Sequence, residues 1–333
     1  ENFDLVAAIS GCGGIAIFQA VHPEENVLLH NYQNASATHV IWRPPRKHSV
    51  APDIPTLFVA DNLDRLTLWI SKNLQDWEVA VTLRVSSPVL AIGWSPDGTI
   101  AAAVLSSGIV QVWRVRERFN NRMEFLALTA PIRRSERHTR SSASHLKCAS
   151  VAADGLREDS VVVLTVEEAR PAVVNVWLVT PSGDSGPSRS SFTKTSFGCA
   201  HLHEDCLACI ASPKKGVLFA WTENGIMEKW VLAKYTSESD GGQWSPAGEK
   251  TFWHKIGRRS TVTTAYVFGT SLKVAVADED TGLIMMDGRQ LRNGDMLSCK
   301  LSHMPLYGIC CSPSERQLVS VGDDGVIQLF TVE

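Results

Sequence analysis

Ala91-Ile92-Gly93-Trp94-Ser95-Pro96-Asp97-Gly98 opens a stretch that closes at Ser107-Gly108-Ile109-Val110-Gln111-Val112-Trp113. An apolar run, Val89–Trp94, stops at a Ser-Pro turn. A second, Ile100–Leu105, stops at Ser107-Gly108, where glycine supplies the positive φ that a tight hairpin needs. A third alternates Ile109, Gln111 and Trp113 against Val110 and Val112, the two-residue period of a strand. The stretch therefore predicts consecutive antiparallel strands whose two faces are both apolar.

The same frame recurs along the chain. Asn224-Gly225-Ile226 runs to Trp230, and Asp324-Gly325-Val326 runs to Phe330. Further copies span Gly13 to Phe18, Asp64 to Trp69 and Ala172 to Trp177; in Gly282 to Asp287 an aspartate takes the aromatic position. The closing positions are 18, 69, 113, 177, 230, 287 and 330, spaced by 43 to 64 residues. A constant floor with longer excursions reads as one structural unit plus variable loops.

Each copy predicts a second strand before the turn: Leu5–Ile9, Leu57–Ala60, Ile100–Leu105, Val161–Val166, Val217–Trp221, Leu272–Ala277 and Gln317–Val321. A first strand lies earlier, at Thr38–Trp42, Val89–Trp94, Leu146–Val151, Cys206–Ala211, Val262–Val267 and Leu306–Cys311. More polar fourth strands follow, as at Trp77–Arg84 and Gly248–His254. Such small sheets, apolar on both faces, cannot stand alone and must stack. The expected fold is all-β: a seven-bladed β-propeller of four-stranded antiparallel blades, formed as a single domain over residues 1–333. The first blade lacks its inner strand and the last its outer one, so those strands are expected upstream of Glu1, where the chain opens without methionine.

On the residues from Ala91 to Trp113 the chain resembles the WD-repeat family, and the likeness extends in degenerate form over its whole length. No Gly-His pair occurs and no Trp is followed by Asp. The side-chain network those residues build in ordinary members is therefore expected to be missing. Ser144-His145-Leu146-Lys147 and Gln317-Leu318-Val319-Ser320-Val321-Gly322-Asp323-Asp324-Gly325 are similar to the propeller of the Mediator tail subunit that carries one. That resemblance implies a transcription coregulator in the nucleus.

Composition excludes several classes. Of 333 residues, 44% are hydrophobic and 20% charged, which rules out disorder of the whole chain. A net charge of −3 gives no general attraction to nucleic acid or anionic membranes. No apolar run approaches the length of a membrane-spanning helix, and no basic-then-apolar leader is visible, so secretion is not expected. The eight cysteines read as free thiols in a reducing compartment.

Charge concentrates in one insert. Between Arg114 and Lys147 lie nine basic and three acidic residues. Arg133, Arg134, Arg137 and Arg140 form its most basic stretch and are candidate anchors for an acidic partner. Without interleaved aromatics it does not read as a nucleic-acid site. Among the tryptophans, those at the repeat position or at inner strand ends read as structural. Trp77, Trp244 and Trp253 fall on outer strands or loops and are the candidate docking residues. Pro181–Arg189 and Ser237–Pro246 read as loops, and Arg43-Pro44-Pro45-Arg46-Lys47-His48 as a stiff basic connection.

The one metal-like constellation is Cys199-Ala200-His201-Leu202-His203-Glu204-Asp205-Cys206-Leu207-Ala208-Cys209. Cys206 and Cys209 stand three apart on a predicted strand, which points them to opposite faces. The expectation is buried thiols rather than zinc. No nucleophile elbow, phosphate loop, zinc-hydrolase or dinucleotide fingerprint occurs. Neither an enzymatic activity nor a catalytic residue, cofactor or small-molecule substrate is expected. The chain reads as a non-catalytic protein-interaction scaffold within a large assembly, of Mediator type and nuclear. The alternatives are a cytoplasmic propeller of vesicle-coat, tethering or ubiquitin-ligase machinery, and a reader of modified peptides or RNA.

Overall fold

The structure, a computed structural model, describes residues 5–10, 13–19, 26–29, 35–45, 54–71, 73–118, 122–127, 146–152, 157–167, 172–181, 192–202, 205–223, 226–232, 244–252, 262–268, 273–278, 282–287, 306–312, 315–322 and 326–332. The chain forms two compact units. One comprises Glu1–Ala143 with Arg157–Val161 and Thr180–Thr193; the other comprises Ser144–Leu156, Val162–Val179 and Lys194–Glu333.

In the first unit, β1 (Leu5–Ile9), β2 (Ile15–Gln19) and β3 (Asn26–Leu29) make a three-stranded sheet. A four-stranded sheet follows from β4 (Ala37–Trp42), β5 (Thr56–Asp61), β6 (Arg65–Ser71) and β7 (Trp77–Arg84). Another is built from β8 (Val89–Trp94), β9 (Ile100–Leu105), β10 (Val110–Arg118) and β11 (Arg122–Ala127). Strands pair in chain order, and every pairing with a recorded register is antiparallel.

The second unit repeats the plan. Its four-stranded sheets are β12 (Leu146–Val151), β13 (Val161–Glu167), β14 (Val173–Pro181), β15 (Phe192–His201) and β16 (Cys206–Ser212), β17 (Val217–Thr222), β18 (Ile226–Leu232), β19 (Trp244–Phe252). Three-stranded sheets follow, from β20 (Val262–Val267), β21 (Lys273–Asp278), β22 (Gly282–Asp287) and from β23 (Leu306–Cys311), β24 (Gln317–Gly322), β25 (Ile327–Thr331). Among the described residues no helix is long and apolar enough to cross a membrane.

Three departures from the expected strands have a common cause. Arg122–Ala127 lies inside the basic insert yet pairs with β10 as a fourth strand, and Phe192–His201 does the same for its sheet. The outer fourth strand also begins earlier than expected, at Trp244 rather than Gly248. Fourth strands sit at a sheet's outer edge. Little apolar burial is required of them there, so their sequences carry little strand signal.

The turns explain the Ser-Pro pairs. Ser95 N–H donates to the Ile100 carbonyl at 2.8 Å, and Ile100 N–H donates to Ser95 Oγ at 2.9 Å. Ser312 repeats both bonds with Gln317, at 2.8 and 3.1 Å. Each turn needs one left-handed residue: Gly98 supplies φ +66° in the first, and Glu315 adopts +58° in the second. Serine thus ties off the ladder in both, and in the first Pro96 fixes the turn's first dihedral.

A second repeated device is less visible. In β4, β8, β12, β16, β20 and β23, each the first strand of its sheet, the register slips by one residue near the start. Pairing passes from Ala37 to His39, Val89 to Ala91, Leu146 to Cys148, Cys206 to Ala208, Val262 to Thr264 and Leu306 to Gly308. A bulge of this kind turns the next side chain to the other face and sharpens local twist.

Packing runs from sheet to sheet within each unit. In the first, Ile15 and Ile17 meet Leu57, Val59 and Trp69, while Phe58, Leu66 and Leu68 meet Trp94, Ala101, Ala103 and Trp113. Phe58 sits edge-on to Trp94 and Trp113, with ring centroids 5.7 and 6.2 Å away. In the second, Leu164 and Val174 meet Cys209, Leu218 and Trp230; Phe219 and Trp221 meet Val274 and Val276; Ala275 and Leu283 meet Leu306 and Leu318. Every residue of β9 is fully buried, so both faces of this second strand serve as core.

Trp69, Trp94 and Trp230 bury indole N–H groups that find no hydrogen-bond acceptor. Trp177 is different and donates to Thr165 Oγ1 at 3.1 Å. The β5–β6 turn is closed by Asp61: its buried carboxylate accepts from the N–H groups of Leu63 and Arg65 and pairs with Arg65 Nε at 2.8 Å.

Gly13 and Gly108 give a matched pair for testing this packing. Both have positive φ, +80° and +79°. A Cβ on Gly108 would meet open space, whereas one on Gly13 would lie 2.3 Å from Ser36 Cβ and 2.4 Å from its Cα. Urea unfolding is expected to show Gly108→Ala losing about 1 kcal/mol from backbone strain alone. Gly13→Ala is expected to lose about 2–4 kcal/mol, because the backbone of the next sheet must also move.

Candidate functional site

The candidate docking residues fall in different places. Arg133, Arg134, Arg137, Arg140 and Trp253 lie outside the described residues. Trp244 begins β19 and pairs through its backbone with Leu232. Trp77 begins β7, half-buried. Its ring packs against Trp42 at 5.7 Å, and its Nε1–H donates to the Leu74 carbonyl at 3.1 Å. Trp77 therefore contributes to the sheet's own packing whatever else it contacts.

The exposed large apolar side chains described in the first unit are elsewhere. Leu63 is 51% exposed on the β5–β6 turn, and Val79 is 43% exposed on β7. Leu63, Asp64, Arg65, Arg84 and Val85 line an open depression of about 310 Å³. The Val85 N–H donates to the Asp64 carbonyl at 2.9 Å and fixes its floor. Sequence patterning did not single out this spot. Its only signal is Leu63 standing between Asn62 and Asp64 in a turn, where an apolar residue has no structural duty. Arg43 is instead turned inward: its guanidinium lies 5.7 Å from the Trp94 ring, and Nε donates to the Gly98 carbonyl at 2.7 Å.

The Cys-x-x-Cys pair corrects the expectation of opposite faces. The bulge in β16 makes Leu207 the extra residue, so Cys206 and Cys209 share a face and the same core cluster. The neighbouring sheet brings Cys148 against that cluster from β12. Cys148 thus packs against the side chains of Cys206 and Cys209 across the boundary between two sheets. Cys206 also donates to the Ala208 carbonyl at 3.3 Å, and Ser150 Oγ lies 3.9 Å from Cys209 Sγ. Cys199 points elsewhere, toward His201 Nε2 at 3.4 Å. Among the described residues no three His, Cys, Asp or Glu side chains converge in a metal-holding arrangement.

The trio is electrostatically asymmetric. Hydrogen bonds from Cys206 and Cys209, then the charge of Lys147, hold the Cys148 thiol well below the usual range. The contact with Cys148, with burial, pushes Cys206 and Cys209 up. Lys147, the extra residue of the β12 bulge, is anchored by Glu223 at 2.6 Å and Asp205 at 3.8 Å. Burial acts downward on its ammonium, but the bond and charge of Glu223, with Asp205, outweigh it and raise the pKa.

No protein-family model matches the chain, and no curated protein matches it in sequence. Structural comparison does find similar folds. The β-propeller domain of Myceliophteria thermophila Cps50 (Swd1) superposes with a TM-score of 0.62, covering 99% of this chain and 93% of that one at 14% identity. The chain has the β-propeller fold: nearly all-β, with small antiparallel sheets following one another along the sequence.

Trp77→Ala separates packing from docking. A packing role predicts a loss of about 1–3 kcal/mol in urea unfolding, from the vacated ring contact and the bond to Leu74. A loss below about 0.5 kcal/mol would show that the sheet does not need the indole.

Proposed function

We propose that the chain is a non-catalytic protein-interaction scaffold within a large assembly. The observation that carries this reading is how the apolar surface is used. Second strands such as β9 are buried on both faces, so the sheets are committed to one another. The differences in length between the repeats fall in turns, outer strands and inserts, the parts that reach solvent and partners. The basic insert between Arg114 and Lys147, part of it paired as β11, suits an acidic protein surface. The open depression lined by Leu63, Asp64, Arg65, Arg84 and Val85 adds a mixed polar and apolar surface.

The assembly we favour is a nuclear transcription coregulator of Mediator type, on the likeness of residues 144–147 and 317–325. The competing assignments are vesicle-coat, tethering or ubiquitin-ligase machinery in the cytoplasm, and recognition of modified peptides or RNA. Affinity capture of the protein at its natural expression level, read by mass spectrometry, distinguishes them. The proposal predicts stoichiometric recovery of Mediator subunits; coat, tether or ligase subunits in their place would reject that assembly. Reversing Arg133, Arg134, Arg137 and Arg140 to glutamate is expected to lower partner recovery about tenfold or more, a 1.4 kcal/mol effect. Unchanged recovery would discard the basic loop as the docking element.

A further inference from the structure

We propose that Cys148, Cys206 and Cys209 form an oxidation site, in which a hydroperoxide converts Cys148 and one of its two neighbours into a disulfide joining adjacent sheets. The geometry carries the argument. Two bulges, at Lys147 in β12 and Leu207 in β16, turn three thiols toward one interface. Without the second bulge Cys206 and Cys209 would face apart. All three are free thiols.

Their exposures differ in the sense the chemistry needs. Cys148 is only partly buried, whereas Cys206 and Cys209 are 0% and 7% exposed. A reagent from solvent therefore meets Cys148 first. It packs against the cluster that holds Cys206 and Cys209, and Lys147 stands next in the chain, itself held by Glu223 and Asp205. A positive neighbour favours the thiolate, which is the nucleophilic form.

The steps balance. The Cys148 thiolate attacks the distal oxygen of R–O–O–H; the O–O bond breaks, leaving a sulfenic acid and, after protonation, the alcohol R–OH. The thiol of Cys206 or Cys209 then attacks the sulfenic sulfur. An S–S bond forms, the S–O bond breaks, and water leaves with the thiol's proton. The hydroperoxide accepts the two electrons. Burial of the resolving thiols keeps them protonated and unreactive until the sulfenic acid forms beside them.

The test uses the intact chain, hydrogen peroxide as the reagent, and tryptic mapping after alkylation of free thiols. The expected product is the peptide 148–157 linked to the peptide 195–214 through Cys206 or Cys209. Loss of that species in Cys148→Ser, with wild-type circular dichroism, supports the assignment. Lys147→Met is expected to slow its formation roughly threefold near pH 7. The proposal is overturned if Cys148 stays alkylatable while other cysteines oxidise, or if the link runs through Cys199. It is equally overturned if the purified protein retains one equivalent of zinc on these thiols.

Discussion

A sheet of three or four short strands has two faces and too little mass to shield either. That constraint governs this molecule. Leu57–Ala60, Ile100–Leu105 and Val217–Trp221 expose almost nothing on either side. Each can exist only between neighbours, and within each unit the core passes from sheet to sheet. The ring contacts of Phe58 with Trp94 and Trp113 are the clearest instance, since one side chain from β5 fills the gap between two aromatics of the following sheet.

The same constraint explains the polar chemistry. Where a turn must be tight, a serine, an aspartate or a left-handed residue closes it locally, as at Ser95, Asp61 and Gly98. Inside the stacked sheets the indole N–H of Trp69 or Trp94 is left without an acceptor, a penalty of about 1–3 kcal/mol each in mutational terms. Stability then leans more heavily on apolar stacking, and an intrusion such as a methyl group at Gly13 is felt across the sheet boundary.

Much of the fold was legible because turn glycines and two-residue alternation are both local signals. All seven second strands appear where the pattern puts them, and β8, β12, β20 and β23 match to the residue. The outer strands β3, β11 and β15 carried no such mark, being edge strands beside variable segments. The bulges were also invisible, because one extra residue changes which way a side chain faces without altering composition or spacing. That is why Cys206 and Cys209 read as facing apart and prove to face together. For the docking residues, the arginine cluster and Trp253 lie outside the described residues, and Trp77 is tied into its own sheet.

The central claim is that neighbouring sheets hold each other folded. Native-state hydrogen exchange on Phe58→Ala tests it most directly. Truncating this fully buried ring should remove about 3–5 kcal/mol. The account predicts that amides of β9, in the next sheet, lose protection by the same factor as those of β5, on the order of a hundredfold or more. Protection lost in β5 but intact in β9 would mean that the sheets stand on their own, and would contradict it.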